Sequence, residues 1–143
     1  MEKLNKLSEE LKLQDSVTFQ GLVNHDQLPY YYSAADVCIV PSYYESFGLV
    51  ALEALACGTP VVATDVGDLR NIIRQGETGY VVADNAPEKL AGGIVRFLSG
   101  PKLDGKSVLA IRASVMKSSW THVAELVIKE LHEVLGGQRT SVT

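Results

Sequence analysis

Two carboxylates, Glu45 and Glu53, are separated by seven residues within the stretch 41–60, PSYYESFGLVALEALACGTP. Glu45 lies in a polar turn. Glu53 lies in an apolar run, residues 49–56, that predicts a short helix buried against a sheet. A carboxylate in such a helix costs free energy unless it has a partner or faces a cavity. Two interpretations stay open: both glutamates bind a ligand, or Glu53 forms a salt bridge or reaches solvent and Glu45 is a loop charge.

The start of this helix has features of an anion site. Ser46 is predicted to cap the helix, and Gly48 leaves the backbone there open to a ligand. A helix start that follows a strand of an α/β sheet suits a phosphate group. About 7 Å of helix, at ~1.5 Å per residue, separates Gly48 from Glu53. A diphosphate at the helix start would therefore bring a ribose toward Glu53 and the attached group toward Glu45, and Glu53 is expected to face a cavity at the carboxyl edge of the sheet.

The rest of the chain supplies elements that would position these residues. Apolar runs predict strands over residues 16–21, 37–40, 61–63 and 78–83. Helices are predicted between and after them, over residues 1–13, 27–34 (capped by Asp26), 49–56, 68–74, 87–98, 107–116 and 120–135. Strands that alternate with helices predict an α/β fold with a Rossmann-like parallel sheet.

Composition narrows the class of function. A net charge of −4 argues against nucleic acid as the main partner. No apolar run reaches the ~18 residues of a membrane span, and the charged amphipathic N-terminal segment is not typical of a signal peptide. Cys38 and Cys57 are isolated in apolar runs, which predicts buried free thiols in a reducing, cytoplasmic setting and no metal site. His25 is expected to be a solvated loop residue.

One motif match is set aside. Residues 100–107, GPKLDGKS, fit the phosphate-binding loop of nucleotide triphosphatases. That loop must follow a strand, whereas residues 87–98 have a helical pattern, and no strand is predicted after Ser107. The segment is therefore interpreted as a surface loop.

The stretch 45–54, ESFGLVALEA, resembles the paired-glutamate signature of the family 4 (group 1) retaining glycosyltransferases. These two-domain enzymes of the GT-B architecture include sucrose-phosphate synthases and glycogen synthases. The segments in the family's order and spacing are residues 17–21, 35–42, 58–64 and 76–82. The resemblance covers about residues 1–135. It implies that residues 1–137 are the nucleotide-sugar-binding domain, the C-terminal half of such an enzyme, and that 138–143 are a polar tail.

The resemblance also implies an activity. The parent enzyme would transfer a sugar from a nucleoside diphosphate sugar, such as a UDP- or GDP-hexose, to an acceptor hydroxyl with anomeric retention. No metal and no cofactor besides the donor substrate is implied. Glu45 would be the catalytic residue that orients donor-sugar hydroxyls, and Glu53 would bind the ribose. The other implied substrate-binding residues are Ser46, Phe47, Gly48 and Leu49 around the diphosphate, and Val23 beside the nucleobase.

The donor-binding half of these enzymes has about six strands, whereas four are predicted here. The chain is therefore expected to lack the first two strands, a basic pair that holds the diphosphate, and the acceptor domain. Arg70 and Arg74 are the nearest basic residues, and Asp68 stands where the family commonly has glycine. The isolated chain is expected to be inactive. A stand-alone nucleotide-sugar-binding module and an inactive interaction subunit stay open as alternatives, as does peripheral membrane association of the parent enzyme.

The absence of two strands would leave the predicted strands 16–21 and 37–40 without their neighbours. Two outcomes are expected. Either the two strands pair directly, in a ladder between Phe19 and Ile39, or their exposed edges make the chain self-associate.

Overall fold

The computed structural model describes residues 1–137 of the 143-residue chain, so the predicted polar tail at 138–143 lies outside the described residues. Three strands form one parallel sheet in the order β1-β2-β3. Their bounds are Cys38–Val40 for β1, Val61–Thr64 for β2 and Gly79–Val82 for β3. In register, Cys38 lies opposite Val61, and Val61 lies opposite Gly79. The predicted α/β fold with a parallel sheet is confirmed.

Seven helices surround this sheet in the described residues. They are α1 (Glu2–Glu10), α2 (Leu28–Ala34), α3 (Leu49–Ala56), α4 (Leu69–Ile72), α5 (Pro87–Leu98), α6 (Gly105–Ser114) and α7 (Trp120–Gly137). Short 3-10 turns precede α2 and α7, at His25–Gln27 and Met116–Ser118. Each predicted helix is present, with ends that differ by a few residues. The segment 100–107 follows α5 and enters α6, which confirms that it is not a phosphate-binding loop.

Two predictions about the N-terminal third are wrong. Residues 16–21 form no strand, and no ladder joins Phe19 to Ile39. A strand exists only through bonds to a neighbour, and β1 pairs only with β2 among residues 1–137. Asp26 caps nothing, because it lies inside the 3-10 turn and α2 begins two residues later, at Leu28.

The core lies between the sheet and α3. All four residues of β2 are buried, as expected of a central strand covered on both faces. Ala51, Ala54 and Leu55 of α3 are fully buried against it. The predicted end of α3 is confirmed, because Gly58 has φ +85° just beyond the last turn and a side chain there would strike Val108.

The two terminal helices contribute little to this core. The large apolar side chains of α1 and α7 are exposed over most of both helices; examples are Leu4, Leu7, Trp120, Leu131 and Leu135. Among residues 1–137, no helix has the length and apolarity needed to cross a membrane.

Candidate functional site

The loop that carries Glu45 leaves β1 at the carboxyl edge of the sheet. The hydroxyl of Thr64, at the end of β2, donates a 2.6 Å hydrogen bond to the carbonyl of Ser42. Further along, the Cα of Gly67 packs directly against the carbonyl of Glu45, at a backbone φ of +56°. The loop is therefore fixed by the segment that follows β2, and a side chain at residue 67 would displace Glu45.

Helix α3 begins at Leu49, and its capping residue, Gly48, has the left-handed φ of +81°. A Cβ at this position would lie 2.7 Å from Cδ2 of Leu69, so both backbone and packing require glycine. The predicted capping role of Ser46 is wrong: Gly48 is the capping residue, and no side chain caps the helix. The backbone N–H groups of Phe47 and Gly48 donate to no acceptor among residues 1–137. Such unpaired N–H groups at a helix start favour an anion.

Glu45 is half-buried beside this helix start. Its Oε1 accepts a 3.0 Å hydrogen bond from the backbone N–H of Ser46. That bond holds the carboxylate close to its own loop and leaves Oε2 available to another donor. Phe47 and Leu49 are exposed next to it, so the loop and the first turn of α3 form an open surface.

Glu53 has two partners that sequence reasoning missed. The hydroxyl of Tyr32 on α2 donates to Glu53 Oε2 at 2.9 Å, and Nε2 of His25 lies 3.5 Å from Glu53 Oε1. The Glu53 side chain is 35% exposed, whereas the His25 ring is 85% exposed. Glu53 is therefore held firmly on the Tyr32 side and open on the His25 side.

The charge of Glu53 affects its neighbours. Burial, together with the hydrogen bond to the Glu53 carboxylate, raises the pKa of Tyr32 well above its ordinary value. Burial and the same carboxylate raise the pKa of the Cys38 thiol. Cys38 and Cys57 are free thiols, as predicted, but both are half-buried and not fully buried as the sequence suggested.

The prediction that Glu53 faces a cavity at the carboxyl edge of the sheet is not confirmed by the two cavities found among residues 1–137. Two cavities of about 510 and 460 Å³ lie elsewhere, and Glu53 lines neither. Glu53 instead lies on a half-open surface against α2.

The basic residues nearest the helix start are engaged elsewhere. Arg70 forms a bidentate salt bridge with Asp65, in which Nε and Nη2 each donate to one carboxylate oxygen. These hydrogen bonds hold the pKa of Asp65 below its usual range. Arg74 lies 3.9 Å from Glu77, on the wall of the 460 Å³ cavity. Neither supplies a free cation to the surface around Gly48.

The remaining predicted residues add little contact. Asp68, the departure from the family pattern, accepts a 2.6 Å hydrogen bond from the Asn71 side chain at the start of α4. Val23 is half-buried in the loop before the His25–Gln27 turn. Within residues 1–137, no three His, Cys, Asp or Glu side chains are grouped so that they could hold a metal ion.

A three-stranded parallel sheet flanked by helices, with Gly48 capping the helix that follows β1, defines a Rossmann-like α/β domain. The family described as "Glycosyl transferases group 1" matches residues 1–110. The chain belongs to the group 1 glycosyltransferases, and the resemblance inferred from sequence is confirmed.

Individual relatives agree with this assignment. A D-inositol 3-phosphate glycosyltransferase from Acidothermus cellulolyticus is 42% identical over 142 residues, which are 99% of this chain and 32% of that protein. Sucrose-phosphate synthase from Thermosynechococcus elongatus superposes with a TM-score of 0.79 at 38% identity, over 95% of this chain and 34% of that one. The chain therefore spans about a third of the length of these relatives.

A more distant structure shares the fold. Anabaena Alr3699/HepE in complex with UDP superposes with a TM-score of 0.81 at 23% identity, over 92% of this chain and 36% of that one. At this identity the likeness shows the fold alone. The GT-B class of fold predicted from the sequence is thereby confirmed for the region that the chain covers.

Proposed function

We propose that the chain is the donor-binding part of a retaining glycosyltransferase, which moves a sugar from a nucleoside diphosphate sugar to an acceptor hydroxyl. The observation that carries the proposal is that the N–H groups of Phe47 and Gly48, between the two glutamates of the family's motif, donate to no acceptor in the part of the chain that the structure describes. Anabaena Alr3699/HepE, which shares the fold, was solved with UDP, and UDP is therefore the nucleotide chosen to test the proposal.

The diphosphate would rest on the start of α3. The N–H groups of Phe47, Gly48 and Leu49 lie at the positive end of the helix dipole, and Gly48 has no side chain to keep a ligand away. As the sugar leaves, negative charge develops on the diphosphate. N–H groups that are already fixed in place stabilise this charge without having to reorganise.

Glu45 would bind the donor sugar. Ser46 N–H occupies its Oε1, and Oε2 is available to accept from sugar hydroxyls. Because Gly67 fixes the backbone of this loop, the carboxylate is held at a constant distance from the helix start. Orientation of the sugar in this way contributes to catalysis by keeping the reacting bond aligned.

Glu53 would bind the ribose. Its Oε2 is occupied by the Tyr32 hydroxyl, whereas Oε1 has only the exposed His25 ring nearby and can accept from a ribose hydroxyl. In this role Tyr32 is a positioning residue, because it acts on the ligand only through Glu53. Val23 would lie beside the nucleobase.

A calorimetric titration of the chain with UDP and, separately, with inorganic pyrophosphate tests the assignment. Glu53→Gln keeps the size of the side chain and removes its charge. We expect the affinity for UDP to fall about tenfold, as for the loss of one or two charge-assisted hydrogen bonds. The affinity for pyrophosphate, which lacks a ribose, should not fall.

Glu130→Gln is the matched control, because Glu130 is exposed on α7 and far along the chain from the motif. It should leave both affinities unchanged. The ribose assignment would be contradicted if Glu53→Gln lowered the affinities for UDP and pyrophosphate equally. It would also be contradicted if Glu130→Gln lowered the affinity for UDP as much as Glu53→Gln does. Absence of UDP binding to the unmodified chain would contradict the donor site itself.

A further inference from the structure

Three basic residues from different segments of the chain line one cavity, which adjoins the amino end of β3 and contains neither Glu45 nor Glu53. This cavity, the basic groove, has a volume of about 460 Å³ and is lined by Arg74, Arg96 and Lys102, with Tyr80 and Glu77. Arg74 follows α4, Arg96 lies in the last turn of α5, and Lys102 lies between α5 and α6. The convergence is unexpected in a chain of net charge −4.

The cations of the basic groove are only partly neutralised. Glu77 is the one carboxylate on its wall, and it lies 3.9 Å from Arg74, a distance typical of a loose pair. Asp104, beside the groove, already accepts from the backbone and hydroxyl of Ser107. Arg96 and Lys102 have no ion-pair partner among residues 1–137.

Arg96 is also held in place before any ligand arrives. Its guanidinium carbon lies 4.8 Å from the centre of the Tyr80 ring, in a cation–π contact. Phe97 packs edge-on against the same ring, with 6.2 Å between ring centres. The contact with Tyr80 favours one orientation of the planar guanidinium, and a guanidinium fork is suited to a phosphate group.

We propose that the basic groove binds the phosphate group of a small phosphorylated metabolite, at a site separate from the surface around Gly48. The groove adjoins the amino end of β3, whereas Gly48 lies beyond the carboxyl end of β1. Its volume falls within the ~300–1,000 Å³ of small-molecule sites. A second cavity of about 510 Å³ shares Phe97 and Lys102 with it, and gives room for the organic part of such a ligand.

The proposal is tested by NMR titration of the ¹⁵N-labelled chain with inorganic phosphate, against chloride at the same ionic strength. We expect the amide signals of Gly76, Thr78 and Ser107 to shift along one binding curve. Any phosphate that binds at Phe47 and Gly48 would produce a second set of shifts. The two sites, and hence the two proposals, are therefore read out separately.

Lys102→Gln should lower the affinity of the basic groove for phosphate about threefold, the size expected for one exposed ion pair. Combination with Arg96→Gln should weaken it about tenfold. Lys102 is exposed and does not contact the Tyr80 ring as Arg96 does, so the single variant tests the proposal even if Arg96→Gln disturbs Tyr80. Arg112→Gln with Lys117→Gln, two exposed residues outside both cavities, is the control with the same change of charge.

Three results would overturn the proposal. They are phosphate shifts confined to residues 47–49, equal weakening by the control pair, and shifts at Gly76 and Ser107 that chloride reproduces. Shifts specific to phosphate that respond to Lys102→Gln and not to the control would support it.

Discussion

At the scale of single residues, the contact that matters most for the site is the hydrogen bond from Tyr32 to Glu53. It joins residues 21 positions apart and fixes one oxygen of the carboxylate. The bond explains how a charged side chain is tolerated in an otherwise apolar helix: the carboxylate is partnered on one side and partly exposed to water on the other. The other carboxylate oxygen of Glu53, Oε1, stays available to accept a hydrogen bond from a ligand.

Tyr32→Phe should therefore destabilise the chain. The lost hydrogen bond is worth about 1 kcal/mol, because the acceptor is charged but partly exposed. Urea unfolding at pH 8 should show a lower midpoint for this variant. Tyr31→Phe is the control, because Tyr31 is exposed on the same helix and makes no side-chain hydrogen bond among residues 1–137.

The same bond predicts a pH dependence. The pKa of Tyr32 is raised in the folded chain and is about 10 when unfolded. Its stabilising contribution is therefore complete below pH ~10, and it is lost as the pH rises from there toward the folded pKa. Between pH 9 and 11 the unmodified chain should lose stability more steeply than Tyr32→Phe. Parallel curves for the two proteins would show that Tyr32 does not titrate abnormally.

The sequence identified the glutamates but not what surrounds them. Glu45 and Glu53 stood out through spacing and through the cost of a carboxylate in an apolar helix. The partners of Glu53 come from α2 and from the turn before it, and no local pattern records which tyrosine of three faces α3. Ser46 failed as a cap for a similar reason: capping depends on backbone angles, and the capping residue is the left-handed Gly48, two residues further on.

At the scale of elements, two turns at the carboxyl edge hold each other in place. The turn after β2 brings Gly67 against the carbonyl of Glu45, and Leu69 of α4 packs against Gly48. Through these contacts, the loop before α3 packs against the segment that leads into α4. The site is therefore built from two adjacent strand ends, as is usual for ligand sites in parallel sheets.

Gly67→Ala should destabilise the chain by more than ~1 kcal/mol, because it adds a left-handed alanine and a clash with the backbone of Glu45. Gly92→Ala is an informative control. Gly92 lies inside α5 with open space around it, so alanine there should stabilise by about 0.5–1 kcal/mol. In thermal unfolding, Gly67→Ala should therefore melt at a lower temperature than the unmodified chain, and Gly92→Ala at a higher one. A stable Gly67→Ala would mean that the loop can move away from the turn.

Helices were easier to predict than strands for a physical reason. The limits of α5, Pro87–Leu98, follow from a proline in the first turn and from an apolar periodicity that are both local. Residues 16–21 have the composition of a strand. A strand forms only by hydrogen bonding to a neighbouring strand, and among the described residues no strand pairs with this segment. Cys38 and Ile39 of β1 are half-buried and Val40 is buried, whereas all four residues of the central strand β2 are buried.

At the scale of the whole molecule, the chain covers about a third of the length of its relatives. We expect the purified chain to show no sugar transfer from a nucleotide sugar, and to bind nucleoside diphosphates only weakly. The reason within the structure is that Arg70 is committed to Asp65, so the surface around Gly48 offers a diphosphate N–H groups and no free arginine from α4. Release of free nucleotide from UDP- or GDP-hexose in the presence of acceptors is the measurement. Turnover by the purified chain would contradict this prediction.

Two exposed features predict self-association of the same chain. β1 pairs with β2 on one side only among residues 1–137, and α7 exposes an apolar stripe that includes Trp120 and Leu131. An unpaired strand edge offers N–H and C=O groups to another chain, and exposed apolar area favours its burial. Light scattering at tens of micromolar should therefore report a dimer or a larger species.

Variants separate the contributions of these two features. The N–H of Cys38 bonds to the carbonyl of Pro60, so by the alternation of a strand the N–H of Ile39 points to the free edge. Ile39→Pro removes that donor and keeps the pairing with β2, and it should shift the chain toward monomer. Leu131→Gln should weaken association less, because it leaves the edge intact. Leu109→Gln, equally exposed but on α6, is the control and should have no effect. A monomer at every concentration would show that the open edge and the apolar stripe are both tolerated in water.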